Sequence, residues 1–593
     1  MTALVASSPL KPLPGELVLS HQALNDLETT LSSFGSSLSP SGRTALQALL
    51  ESLEAGLHGI LPPSYYLSAI DPGTGKSLAV ASFLKAWKAR GFLPDSSVLV
   101  GVSSLAEIDS YLQNAGLSRE EVGVLTGDEP RNALGAPKAA HGDTRVLFTT
   151  QQMIQSRTRG RLLADAADFH YRGKPRSLRI WDESLTLGEA VTLRVDDLGL
   201  LASPLRQRNP AFVEAVKAFQ RFLWDASAGQ AIQVPNEFDT PVKGAERLPA
   251  DALETLGRLK KLTGQEVRLV DGSNGDIQLS GAFPALPADF APAVILDASG
   301  RVRSTYKIWE ERLGTLTRLP AAASDYRNLD LNLWPRGSGK QSMAIPSVRA
   351  EVVRAMADVI NDDDEDWLVI HYKDQPAIFR ELTALVEHRA DERLHPLTWG
   401  QHHGTNRFAG IRNIMIVGQL TYGEAAYRSK ASAAVGGGAV NLSAGDLVEL
   451  EGGEFSHHLL QALCRASVRS GQGGVAGACR AYVVANPLIA TPERLHVIFP
   501  GSRLGEWRPA LTTGARGHAG GLIAYLAGRF AAQPDSVVPK SDARKALGLS
   551  TPAFAKLLHH PAVADFMAGH RVITDHRSFE SHKARFDPWT GYD

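Results

Sequence analysis

Residues Ser68–Val80 read SAIDPGTGKSLAV, and the reading of this glycine-rich turn decides the fold. Before it, YYLSAI has the aromatic and apolar content of a short buried strand. After it, SLAVASFLKAWKA has helical periodicity, with Leu78, Phe83, Leu84 and Trp87 available for an inner face. A strand, a glycine loop and a helix N-terminus gather backbone N–H groups and the positive end of a helix dipole at one point, which suits a phosphate. In that reading Gly73, Thr74, Gly75, Lys76 and Ser77 form the cradle. Lys76 then reaches the terminal phosphates, and the Ser77 hydroxyl binds Mg²⁺. The GxxxxGK[ST] pattern asks for glycine at position 70, where this chain has Ile70; the GTGKS half is complete.

At 593 residues the chain is long enough for three or four domains. Its 44% hydrophobic and 21% charged content is that of ordinary globular protein. No apolar run approaches the length of a transmembrane helix. The opening MTALVASSPLKPLPGE lacks the basic and apolar regions of a signal peptide. Two cysteines, Cys464 and Cys479, exclude a disulfide framework and a four-cysteine zinc or iron–sulfur site. A cytoplasmic protein with no membrane partner is expected. The net charge of −1 argues against a passive nucleic-acid coating, although a motor that grips nucleic acid in a cleft can be neutral overall.

The chain divides by pattern. Residues 1–50 read as an N-terminal helical segment. From 51 to 317, strands and helices alternate as in a parallel, doubly wound sheet: SSVLVGVSS, VGVLTG, TRVLFTT and SLRIWDES are strands, LAEIDSYLQNAG is a helix, and PAVILDASG returns to the same sheet. The less regular 186–290 reads as an insertion. Residues 318–344 read as a linker carrying one strand; its GSGKQ has Gln341 where a phosphate loop needs a hydroxyl, so it is a turn. A second α/β domain spans 345–500, with IPSVRAEVVRAMADVI as a helix and DWLVIHY, IRNIMIVG and CRAYVVAN as strands. Residues 501–593 form a C-terminal helical module in which SDARKALGLSTPAFAKLLHHPAVADFMAGHRVIT reads helix, turn, helix, helix, strand. That order suits a helix-turn-helix or winged-helix unit. Its basic balance is slight, so a protein partner docking there stays open beside a nucleic-acid role.

RIWDES ends an apolar strand in two carboxylates. Asp182 at a strand tip can hold Mg²⁺, and Glu183 can polarise an attacking water. A bare Asp-Glu after a strand carries little information; after a Gly-Lys-Ser loop it carries much more.

At this point the sequence resembles a family. The order DPGTGKS, VGVSS, LFTTQQM, WDES, LDASG, VIHYK, GTNRF, QALCRASVR is similar to the motif order of superfamily 2 helicases and translocases, the DEAD/DEAH-like P-loop NTPases. The resemblance covers roughly 64–485 and is most specific in DPGTGKS with WDES. In helicase-type loops of this kind, departure from glycine at the position of Ile70 is common. The resemblance implies two tandem RecA-like domains, ATP between them and nucleic acid across their tops. Thr149, Thr150 and Gln151 match the first domain's phosphate-contacting loop. Asp297, Ala298 and Ser299 match the motif coupling hydrolysis to strand movement, where the family usually has Ser-Ala-Thr. Thr405 and Asn406 match the second domain's loop between ATP and strand.

Gln461, Arg465 and Arg469 are spaced for one stripe on a helix. One amide and two guanidiniums can face a triphosphate, because arginine stays charged and grips phosphate oxygens in a fork. The family places its two arginines three apart and this chain four, which leaves open which of them is the finger. The implied function is Mg-ATP-dependent movement on nucleic acid, with single-stranded or forked DNA favoured over RNA. Two alternatives remain: a terminase-type DNA-packaging motor, and a nucleotide-switched DNA-binding or loader protein that does not translocate.

Overall fold

The computed structural model describes residues 18–272, 275–401, 407–509, 517–533, 536–569 and 572–581. The chain divides into two compact units, 1–323 with 421–457 and 324–420 with 458–593. Thr405 and Asn406 lie outside the described residues.

The first unit contains β1 (Tyr65–Ser68), β2 (Val98–Val102), β3 (Val122–Leu125) and β4 (Val146–Thr150). A small ribbon of β5 (His170–Tyr171) and β6 (Lys174–Pro175) precedes β7 (Leu178–Asp182). The insertion supplies β8 (Gly188–Arg194), β9 (Ala231–Gln233), β10 (Glu266–Asp271) and β11 (Ile277–Pro284); β12 (Ala293–Leu296) and β13 (Leu316–Arg318) follow. The main sheet has seven strands in the order β13-β1-β12-β7-β2-β4-β3, all parallel. Strand alternation sends Tyr66 to one face and Tyr65 and Leu67 to the other, and each face has its own apolar core. Parallel strands covered on both faces are buried throughout, as the all-buried β1, β2 and β12 are.

The N-terminal helices Val18–Ser33 and Pro40–Leu57 are part of this unit, not a separate segment. Leu24, Leu27, Leu46 and Leu50 share a core with Phe83 and Trp87 of the helix that follows β1. The buried Glu54 carboxylate accepts the amides of Leu19 (3.1 Å) and Ser20 (2.8 Å) at the start of the first helix, whose amides have no helical partner of their own.

The insertion is regular. β8-β11-β10-β9 form an antiparallel sheet under helices Pro210–Asp225 and Ala250–Leu262, around a core of its own. Residues 421–457, expected inside the second domain, belong to the first unit. Helix Glu424–Ala434 lies on β8 and β11, and the Ser280 hydroxyl donates to the Ala425 carbonyl at 2.6 Å.

The larger sheet of the second unit has six strands among the described residues: β14 (Leu329–Pro335), β15 (Trp367–His371), β16 (Leu394–Thr398), β17 (Asn413–Val417), β18 (Cys479–Ala485) and β19 (Arg503–Glu506). They are parallel, in the order β16-β15-β17-β18-β14-β19. The strand read as part of a linker is therefore an inner strand, because Leu329, Leu331 and Leu333 alternate into the core. The turn after it forms no phosphate cradle: Lys340 pairs with Asp374 at 3.0 Å, and the buried Ser338 hydroxyl donates to the Val484 carbonyl.

Beyond this sheet, helices Gly517–Ala532, Lys540–Ala546, Thr551–Leu558 and Pro561–Gly569 pack around their own apolar core. With them goes an antiparallel sheet of β20 (Val537–Pro539), β22 (Ser578–Ser581) and β21 (Val572–Thr574), the layout of a winged helix. The two parallel sheets, each with its helices, are tandem RecA-like α/β units. No helix among the described residues is long and apolar enough to cross a membrane.

Candidate active site

The site is built where β1, β7 and β12 end. β1 runs into a loop in which Gly73 (φ 84°) and Gly75 (φ 98°) take left-handed backbone conformations. Residues with a Cβ rarely adopt these, so the turn requires glycine there. Gly75 caps the helix Lys76–Ala89, whose first amides point into the loop. Thr74 Oγ1 donates to the Asp71 carbonyl at 2.6 Å and tightens the turn. Lys76 Nζ donates to the carbonyls of Ile70 and Asp71. Ile70 is itself buried and bridged to Ala322. Position 70 is thus a core position, which accounts for the absence of glycine there.

β7 brings up the two carboxylates. Asp182 is buried, and its Oδ2 accepts from Tyr111 Oη at 2.5 Å and from Ser77 Oγ at 3.2 Å. Glu183 follows with φ 89°, strained for a side chain of this kind; its amide donates to the Leu296 carbonyl of β12. Strain of this sort clusters at functional sites when the surroundings over-determine it.

Electrostatics here are dominated by burial. Burial pushes the Glu183 carboxyl up to about 8, and the charges of Asp297 and Asp182 add to it. Burial also raises Asp182, against the Tyr111 hydrogen bond, the Lys76 charge and the Ser77 hydroxyl. The Lys76 ammonium is lowered by burial, against the carboxylates of Glu183, Asp182, Asp71 and Asp297. Arg301 pairs with Asp71 at 2.7 Å, so the Lys76 ammonium faces chiefly Glu183, Asp182 and Asp297.

Ser77 and Asp182 are the residues that would hold Mg²⁺. Two oxygen donors fit that ion, which keeps waters and takes phosphate oxygens instead of filling a protein cage. No group of three or more acidic, His or Cys side chains among the described residues is placed to hold a metal.

The coupling candidates fall in different places. Thr149 is buried, with its hydroxyl donating to the Leu125 carbonyl at 2.6 Å, so it serves the sheet. Thr150 caps the helix Gln151–Arg157 by accepting from the Met153 amide. Gln151 reaches the site: Nε2 donates to the Asp182 carbonyl at 2.6 Å. Asp297 and Ser299 form a closed network. Asp297 Oδ1 accepts the Ser299 amide (2.8 Å) and hydroxyl (2.7 Å), and Oδ2 accepts from Tyr306 Oη (2.9 Å). His457 Nδ1 lies 2.6 Å from Ser299 Oγ.

Sequence reasoning missed Tyr111, Tyr306 and His457. It also missed two ion pairs on buried carboxylates, Arg301–Asp71 and Arg303–Glu454, both at 2.7 Å. Nothing in their local sequence marks them; only Asp71, next to the glycine loop, had a signal within reach.

In the second unit, Gln461 and Arg465 are buried, and Arg465 donates to Gln461 Oε1 at 2.8 Å. The expected helical stripe is corrected: the helix Ala444–Leu463 stops before Arg465, and Arg469 ends a separate 3-10 turn, Ser467–Arg469. The helix stops because Ser467 is held elsewhere, its amide by the Ile411 carbonyl (2.8 Å) and its hydroxyl by the Ala478 carbonyl (2.6 Å).

No family model and no curated protein matches the sequence. Among solved structures, the chain is similar to an apo XPD at 11% identity, over 77% of this chain and 98% of that one, with a TM-score of 0.44. It is similar to S. tokodaii Xpd4 at 10% identity, over 78% and 100% of the two chains, with a TM-score of 0.44. It is also similar to S. cerevisiae Dbp5 bound to RNA and ADP BeF3 at 10% identity, over 79% and 93%, with a TM-score of 0.35. In its two parallel sheets and the order of its site residues, the chain resembles the superfamily 2 helicases.

Proposed function

We propose that this protein is a Mg-ATP-dependent helicase or translocase acting on nucleic acid, with DNA preferred to RNA. The observation that carries the reading is the convergence of Lys76, Ser77, Asp182 and Glu183, from two strand ends of one parallel sheet. Backbone amides of the loop and the Lys76 ammonium hold the phosphates, and Glu183 orients and polarises the attacking water. Mg²⁺ supplies charge neutralisation of the phosphate oxygens when bound. An arginine of the second unit, Arg465 or Arg469, completes the neutralisation when the domains close, so that hydrolysis depends on their movement. The winged-helix-like module at the C-terminus favours DNA.

A terminase-type motor would need a nuclease centre of clustered carboxylates, and the described residues place none. A loader that only switches would turn over ATP without stimulation by a strand. The test is ATP turnover with and without single-stranded DNA, duplex DNA and RNA, for the wild type and Lys76→Ala. We expect turnover stimulated most by single-stranded DNA and abolished in the folded Lys76→Ala protein. Wild-type turnover by that variant would overturn the phosphate-loop assignment, and turnover indifferent to every nucleic acid would overturn the motor reading.

A further inference from the structure

Three elements converge on one oxygen atom. Asp182 Oδ2, at the tip of β7, accepts from Ser77 on the loop helix and from Tyr111 on the helix Leu105–Ala115. The second bond is the shorter, at 2.5 Å, and both of its partners are buried. A neutral hydroxyl donating to a buried carboxylate at this distance is a strong, charge-assisted bond.

The tyrosine is held where it is from both sides. Its ring lies against Phe148 of β4, centroids 5.6 Å apart. Its helix begins with the Glu107 carboxylate accepting the Ser103 and Ser104 amides, and it buries Ile108 and Ala115 on the same helix as the tyrosine. The phenol therefore meets Asp182 in one orientation.

We propose that Tyr111 is a positioning residue of the candidate metal site, fixing the plane of the Asp182 carboxylate. The inference rests on the function proposed above. The Ser77 hydroxyl can donate its proton to Asp182 while an oxygen lone pair serves a cation, but its bond is long, 3.2 Å. The phenol supplies the shorter bond, 2.5 Å, from a buried ring. Tyr111 is therefore the stronger of the two restraints on the carboxylate. Donors of this kind orient metal ligands, and their loss typically weakens metal binding by about 10–100-fold.

The experiment uses the full chain and Mn²⁺ as the probe, titrated by electron paramagnetic resonance in the presence of ADP, so that no turnover is involved. Wild type, Tyr111→Phe and Ser77→Ala are compared, with thermal melting to confirm the fold. We expect Tyr111→Phe to bind Mn²⁺ about 10–100-fold more weakly than wild type. Binding of a fluorescent ADP in EDTA should be unchanged, which a general loss of structure would not leave intact. If Tyr111→Phe does not fold, Tyr111→His, whose ring nitrogens cannot reach the same point, carries the same expectation. A folded variant with wild-type Mn²⁺ affinity overturns the inference and leaves the proposed function standing. A wild-type chain that takes up no Mn²⁺ with ADP overturns both.

Discussion

At the scale of residues, Glu183 has the most specific environment in the site. Its left-handed backbone conformation is held by the bond from its amide to β12, and burial keeps its carboxyl near neutrality, up to about 8. Glu183→Gln retains the shape and removes the base, so nucleotide affinity should persist while single-turnover hydrolysis slows by about 10²–10⁴-fold; loss of nucleotide binding instead would remove its assigned role. Glu107, which accepts the Ser103 and Ser104 amides, gives a pH test. Burial and then the Asp182 charge push its carboxyl from 4.5 to about 7. A raised folded value means that its contribution to stability is complete below the unfolded value and is lost as the pH rises through about 7. Glu107→Gln keeps the acceptor and should flatten this loss, gaining on the wild type by at most ~3 kcal/mol between about pH 5 and about pH 8. Denaturant titrations at the two pH values check it, and parallel curves would refute it. The loop and the Asp-Glu pair were legible because their residues are adjacent in the chain. Tyr111 was not, since a lone tyrosine on an amphipathic helix reads as core.

Among the elements, the close approach of the helix Ala444–Leu463 to the helix Ser304–Leu313 depends on Gly453. A Cβ there would stand 2.5 Å from the Ser304 backbone nitrogen, nearer than real contacts allow. Gly453→Ala should therefore force the helices apart, loosen the Arg303–Glu454 pair beside them, and destabilise the protein by about 1–3 kcal/mol. A drop in melting temperature checks this, and an unchanged melt would show that the contact yields freely. Strands with alternating or wholly apolar content, such as β2, β4 and β15, were plain in the sequence. β16 and β19 were not: the first contains Pro396, and the second, RLGE, is polar and pairs only along the sheet edge. The end of the helix before Arg465 was also hidden, since Ser467 is held by residues far along the chain.

For the whole molecule, the proposal turns on two arginines in one unit and a phosphate loop in the other. Arg465→Ala or Arg469→Ala should cut stimulated turnover by about 10³-fold or more at the critical position, with ATP binding to the first unit largely kept. Lysine there should rescue little, because a point charge lacks the fork. Normal stimulated turnover in both single variants and in the double variant would end the two-domain reading. Arg465 already donates to Gln461, so its replacement also frees that amide, and the Gln461→Ala control separates the two effects.

What the sequence determined by itself was local. Its glycine loop, its apolar strands and its carboxylate pair follow from backbone sterics and side-chain periodicity, which act over a few residues. The tertiary structure decided membership and company. It placed residues 421–457 with the first unit, made β14 an inner strand, and brought Tyr111 to Asp182 and His457 to Ser299. The reason is physical: such partners are chosen by buried surface and by the need of buried polar groups for a hydrogen bond, and neither is set by neighbours in the chain.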